Sequence, residues 1–164
     1  MSEYVHVRHG FNPIYNENSK VLILGTLPSV KSRETDFYYG HERNRFWQVT
    51  AALTGAAVPV TVAEKKKMLL EGGIAIWDVI DECDIIGSDD SSIKNVVPAN
   101  IKGLLDKTGI KRVYGNGAKA CQLYDRFIKE STGVDIIKLP STSPANAAWN
   151  LDRLIKEWSE KIYF

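Results

Sequence analysis

Val21-Leu22-Ile23-Leu24-Gly25-Thr26-Leu27-Pro28-Ser29 joins four consecutive branched apolar residues to a turn built on glycine and proline. A run this short, with no polar alternation, suits a strand covered on both faces, as in parallel sheets. Three more stretches repeat the pattern: Gly73-Ile-Ala-Ile-Trp77 before Asp78, Lys111-Arg-Val-Tyr114 before Gly115, and Val134-Asp-Ile-Ile-Lys-Leu139 before Pro140. Amphipathic stretches lie between them. Thr61 and Glu64 have capping-box spacing ahead of Met68, Leu69 and Leu70, with Lys65, Lys66 and Lys67 facing water. Phe46, Val49 and Leu53 form a stripe after Asn44, which reads as the cap of a helix beginning at Arg45. Ala120, Leu123 and Phe127 form another after Gly117. Ser143-Pro144 reads as an N-cap followed by proline at the first helical position, opening a helix through Ala147, Leu151, Leu154, Ile155, Trp158 and Ile162. Strands alternating with helices predict an α/β fold around a four-stranded, mostly parallel sheet.

The chain has 164 residues, 44% apolar and 25% charged, without internal repeat or linker, which predicts one domain over residues 1–164. Lys+Arg 21 against Asp+Glu 20 excludes a highly basic tail, so any nucleic-acid contact depends on a local patch. Cys83 and Cys121 stand apart with no CxxC, which argues against a structural zinc site, an iron–sulfur cluster and a disulfide framework. No apolar run approaches membrane-spanning length and no signal-peptide core is present. The expectation is an intracellular, cytoplasmic protein without metal or cofactor.

Four Gly, Pro or polar turns follow the strands: Gly25 to Ser29, Trp77-Asp78, Gly115-Asn-Gly117 and Leu139 to Pro144. In open parallel sheets that edge forms the ligand crevice. Thr35-Asp36-Phe37-Tyr38-Tyr39-Gly40-His41-Glu42-Arg43-Asn44-Arg45-Phe46-Trp47 interleaves aromatics with cations, a composition suited to a stacked nucleobase with phosphates nearby, or to core anchors. Asn44 is a helix cap or a functional amide; Tyr39 a core ring or a stacking platform; Asp78 an acceptor for a base N–H or a turn cap. Gly115 to Lys119 lacks the GxxxxGK[ST] pattern of a triphosphate loop. His6 and His9 have no third ligand nearby and read as an ordinary terminal strand or coil.

Gly25-Thr-Leu-Pro-Ser29, Tyr38-Tyr-Gly-His-Glu-Arg-Asn-Arg-Phe-Trp47 and Leu139-Pro-Ser-Thr-Ser-Pro144, in that order, resemble the uracil-DNA glycosylase superfamily from about Val21 to the final helix. The tyrosine–glycine–histidine string and the Leu139 to Asn146 form most resemble its hypoxanthine-DNA (deoxyinosine) glycosylase branch. The chain departs from uracil-excising members at two places. Leu27 stands where they carry a water-handling Asp or Asn, and Leu139 where many carry a His that supports the leaving base.

The resemblance implies a three-layer αβα fold and a monofunctional glycosylase that flips a deaminated base, chiefly hypoxanthine, out of DNA. It implies catalytic roles for Asn44, positioning the water, and Asn116. Base contacts fall to Gly25, Thr26, Leu27, Tyr39 and Asp78. DNA contacts fall to Pro28, Ser29, His41, Arg43, Arg45, Ser141, Thr142 and Ser143, the last three at the N-terminus of the final helix. The expected partner is DNA carrying a deaminated base, met by a monomer. Alternative readings are a uracil, xanthine or mismatch-specific uracil glycosylase, and a non-catalytic nucleic-acid-binding module of the same fold. The last is favoured if Asn44 is fully engaged as a cap and points away from the crevice.

Overall fold

The computed structural model describes residues 3–35, 37–87 and 89–164, with Lys31 described by its backbone alone. Four strands, β2 (Val21–Gly25), β3 (Ile74–Asp78), β6 (Arg112–Asn116) and β7 (Ile136–Leu139), form one parallel sheet in the order β3-β2-β6-β7. These are the four strands expected, displaced by one or two residues at their ends. A second sheet was not anticipated. β1 (Val5–Arg8), β4 (Ile80–Ile85) and β5 (Lys94–Pro98) pair antiparallel in the order β1-β4-β5.

Successive side chains of β2 point to opposite faces, which explains why all five of its residues are buried. Val21 and Ile23 join Ile74, Ile76 and Tyr114 beneath α2 (Phe46–Thr54), α3 (Val62–Glu71) and α7 (Leu151–Lys161), through Phe46, Val49, Leu69, Leu154 and Trp158. Leu22 and Leu24 join Ala75 and Val113 against α4 (Ile101–Asp106), α5 (Ala118–Phe127) and the small sheet, through Leu104, Leu123, Tyr124 and Cys83. A three-layer α/β sandwich results. A short α1 (Val30–Thr35) follows the first turn, and α6 (Lys129–Thr132) continues α5.

Two helix starts differ from expectation. α2 begins at Phe46, one residue later than expected, so Arg45 and not Asn44 holds the N-cap position; Asn44, one residue before it, still accepts the first helical N–H, that of Phe46, through Oδ1 at 2.9 Å. α7 begins at Leu151 instead of near Ser143, with Asn150 as its cap accepting from the Arg153 N–H at 2.8 Å. The guanidinium of Arg45 is the physical reason. It donates to the carbonyls of Ser143 (2.8 Å), Asn146 (3.1 Å) and Trp149, which a helix through this stretch would need for its own i to i+4 bonds. Residues 143–149 therefore form turns, and no helix N-terminus lies at Ser143.

Candidate active site

Because β2, β3, β6 and β7 are parallel, their carboxyl ends share one edge, and a cleft of about 510 Å³ opens there. Gly25 to Ser29 lines it from β2, Asp78 from β3, Asn116 from β6 and Ser141 to Ala145 from the turn after β7. The loop between α1 and α2 contributes Tyr39, His41 and Asn44.

Gly25 is adjacent to Asp78 in the sheet register. A Cβ at Gly25 would lie 2.4 Å from Asp78 Oδ1 and 3.1 Å from the Tyr39 hydroxyl, so only glycine lets both polar groups converge over the end of β2. Gly117, with φ of +97° and a would-be Cβ 3.3 Å from Ser141, allows the β6 turn to close against the β7 turn. That contact brings Asn116 to Thr142.

Thr142 is fully buried and joins the two candidate catalytic amides. Its Oγ1 donates to Asn44 Oδ1 at 2.8 Å and accepts from Asn116 Nδ2 at 3.0 Å, while its backbone N–H donates to Asn116 Oδ1 at 3.1 Å. The Phe46 N–H, a donor only, settles which amide atom of Asn44 is the oxygen. Asn44 Oδ1 therefore holds two donors, its Nδ2 makes no hydrogen bond among the described residues, and the residue lines the cleft. The two readings of Asn44 are thus compatible: the oxygen is structural, and the NH₂ group has no partner among the described residues.

Tyr39 stacks on Phe46 with ring centroids 3.9 Å apart and 16° between planes, and its backbone sits in the left-handed region at φ 50°. That conformation is uncommon for a bulky side chain and is held here by tertiary contacts. The Trp47 indole N–H donates to the Tyr39 carbonyl at 3.3 Å. The Tyr39 hydroxyl is buried. Although the Asn116 amide is close enough to favour the phenolate weakly, no described atom meets the hydroxyl in hydrogen-bonding geometry. Burial first, and then the Asp78 carboxylate, push this phenol far above the ordinary tyrosine range.

Several residues expected at the DNA contact lie elsewhere or have other partners. Arg45 is turned inward as the clamp on the 142–149 turns, adding a long contact from its Nε to the Thr142 carbonyl at 3.4 Å. Thr142 has no exposed surface to offer a phosphate. Ser29 caps α1, its Oγ accepting from the Ser32 N–H at 3.1 Å, and still lines the cleft. Ser141 and Ser143 cap their own turns, accepting from the Ser143 and Ala145 N–H groups at 3.1 and 3.2 Å. Pro28, His41, Thr26 and Leu27 line the cleft, with Leu27 also packing on the core, whereas Arg43 is exposed outside it. His9, read from the sequence as ordinary strand or coil, reaches the site: its Nε2 lies 2.7 Å from Asp78 Oδ2. Nothing in the local sequence signals this, because the partner is 69 residues away.

A four-stranded parallel sheet, a cleft at its carboxyl edge and two amides tied across it define a class, which comparison with known proteins names. Residues 13–162 match the uracil DNA glycosylase superfamily, and the chain belongs to that superfamily. The chain is accordingly a DNA glycosylase, a hydrolase. It is 32% identical over 154 residues to a protein named hypoxanthine DNA glycosylase from Methanosarcina acetivorans, covering 93% of this chain and 96% of the relative. A second protein of that name, from Methanosarcina barkeri, is 30% identical over 141 residues, 85% of this chain and 88% of the relative. The solution NMR structure of a candidate uracil DNA glycosylase from Methanosarcina acetivorans superposes with a TM-score of 0.81 at 31% identity, covering 96% of each chain. Among the described residues no helix is long and apolar enough to cross a membrane.

Proposed function

We propose that this chain excises hypoxanthine from deoxyinosine-containing DNA as a monofunctional glycosylase. The carrying observation is the Asn116–Thr142–Asn44 chain on the cleft wall, which fixes the Asn44 amide by its oxygen and leaves its NH₂, without a partner among the described residues, to serve a flipped nucleotide. The two relatives named hypoxanthine DNA glycosylase support the choice of base. A binding-only role is disfavoured by the same geometry, since Asn44 does not point away from the cleft.

Breaking the C1′–N9 bond builds positive charge on the sugar and negative charge on the departing purine. The electron pair of that bond leaves with the base, and a water oxygen forms the new bond to C1′. Asn44 Nδ2–H donates to that water, holding it with a lone pair directed at C1′. An amide is too weak a base to accept a proton early, so the water's proton leaves after bond breaking and the purine is protonated in turn. Tyr39 supplies the stacking surface and Asn116 the amide beside the base. Mispaired inosine leaves the helical stack at lower cost than a paired purine, which favours its capture.

The test is cleavage of duplex oligonucleotides containing inosine, uracil or xanthine, with and without hot alkali. Strand breaks at inosine only after alkali are expected. Cleavage of uracil alone would overturn the base assignment, and breaks without alkali would overturn the monofunctional one.

A further inference from the structure

The Asp78 carboxylate is not a turn cap. It is bonded from behind by a histidine that the glycosylase scheme above does not use. The side chains of His9 and Asp78 are 2% and 5% exposed and meet at 2.7 Å through Nε2 and Oδ2. The imidazole is fixed on its other sides as well. Its ring lies edge-on to Phe11 at 4.7 Å and 5.7 Å from the Tyr38 ring, and the Phe11 N–H lies 3.5 Å from Nδ1. With Nδ1 facing a donor, Nε2 carries the proton and donates it to Asp78.

That bond fixes the rotation of the carboxylate. Oδ2 is directed to His9, away from the cleft, and Oδ1 is left over Gly25, where the would-be Cβ distance of 2.4 Å shows how closely it approaches the end of β2. Asp78 lines the cleft together with Gly25, Tyr39 and Asn116. A fixed carboxylate oxygen accepts hydrogen bonds and donates none. Hypoxanthine carries a lactam N1–H, a donor, next to its O6. Adenine, the undamaged base from which it arises, presents a lone pair at N1.

We propose that His9 is a positioning residue that aims Asp78 Oδ1 as the acceptor for the lactam N–H of a 6-oxopurine, and that this pair sets the rejection of adenine. The assignment rests on the proposed function and names the group that reads the base. Rejection comes from two sources: adenine forgoes the charge-assisted bond, and its N1 lone pair faces a carboxylate oxygen with no proton between them. His9 never touches substrate; its effect passes through the orientation of Asp78.

The experiment uses the full chain and two duplex probes, one with deoxyinosine and one with deoxynebularine, a purine with a bare N1 and no 6-oxygen. Single-turnover rates on both are measured for wild type, Asp78→Asn, His9→Phe and His9→Gln, each with its thermal midpoint. Asp78→Asn is expected to lower the inosine rate about 10- to 100-fold, the scale of losing a hydrogen bond to a charged group, with a smaller loss on nebularine, so that the inosine-to-nebularine ratio falls. His9→Phe is expected to move the ratio the same way, because the carboxylate is then free to turn from Gly25. His9→Gln keeps an N–H donor and should restore part of the ratio. Should His9→Phe fail to fold, the Asp78→Asn and His9→Gln ratios still decide the matter. Equal slowing of both probes by the His9 variants would make His9 merely structural and overturn its positioning role. An unchanged ratio in Asp78→Asn would overturn the acceptor. Wild-type protein inert on inosine would instead overturn the proposed function, and this assignment with it.

Discussion

Asn44→Ala separates what the two ends of one amide do. Asn44 Oδ1 accepts the first N–H of α2, that of Phe46, as a cap would, and satisfies the buried Thr142 hydroxyl, at 2.9 and 2.8 Å. Losing the cap costs about 0.5–2 kcal/mol, and stranding a buried hydroxyl about 1–3 kcal/mol. A combined loss of about 2–4 kcal/mol lowers the thermal midpoint by about 4–16 °C in a chain of this size. Removing the Nδ2 donor should lower the single-turnover rate on inosine about 10²- to 10³-fold, the scale of one preorganised contact to the reacting atoms. Two further variants divide the effects. Asn44→Ser keeps an oxygen within reach of the Phe46 N–H, so its midpoint should recover part of the loss while its rate stays low. Asn44→Asp keeps acceptors for both Phe46 and Thr142 but has no N–H; its rate should also stay low if donation to the water is what matters. The assay is excision under single turnover, read after alkali, beside a thermal melt of each protein. An Asn44→Asp enzyme as fast as wild type would refute donation and make the residue a proton acceptor. An Asn44→Ala enzyme that melts early yet excises at the wild-type rate would leave Asn44 a cap and nothing more.

Thr142→Val should break the bridge between Asn44 and Asn116, lowering stability by about 1–3 kcal/mol and the rate at least about tenfold, while Thr142→Ser restores both; melts and single-turnover rates check this. Tyr39→Phe removes a buried hydroxyl that has no hydrogen-bond partner among the described residues, so the melting temperature should hold or rise, whereas a fall of several degrees would reveal a partner for it. Arg45→Ala should destabilise the protein by about 2–4 kcal/mol through the freed carbonyls of the 143–149 turns, yet leave the salt dependence of DNA binding unchanged. Arg43→Ala should do the reverse if the exposed cation meets a phosphate, reducing the log–log salt slope by about one with no change in melting.

The parallel sheet was legible because each of its strands is buried on both faces and therefore carries an unbroken apolar signature. The second sheet was not. β1 and β5 are mostly exposed, β4 alternates with acidic residues, and Val5 pairs with Ile85 without a turn between them to announce it. The Ser143-Pro144 signal was locally sound as a helix start and lost to a tertiary competitor, the Arg45 guanidinium, for the same carbonyls. At the site, residues marked by their own turns could be read: Gly25, Tyr39, Asn44, Asp78 and Asn116 all line the cleft. What could not be read is who holds them. Thr142 reads from sequence as a DNA contact, and His9 as one side chain in a terminal segment; their partners are distant in sequence and carry no spacing signal.

The Arg45 clamp also bears on when the site comes into being. Its bonds to Ser143, Asn146 and Trp149 span 98, 101 and 104 residues, and the Thr142–Asn44 bond spans 98. Contacts that close such long loops carry the largest entropic penalty and form late. A partly assembled chain, even one with β2 and β3 already paired, thus has neither Asn44 nor Asn116 tied to Thr142 on the cleft wall. On the proposed mechanism, half-made protein has no means of stripping bases from DNA, because both amides are set only once these long loops close.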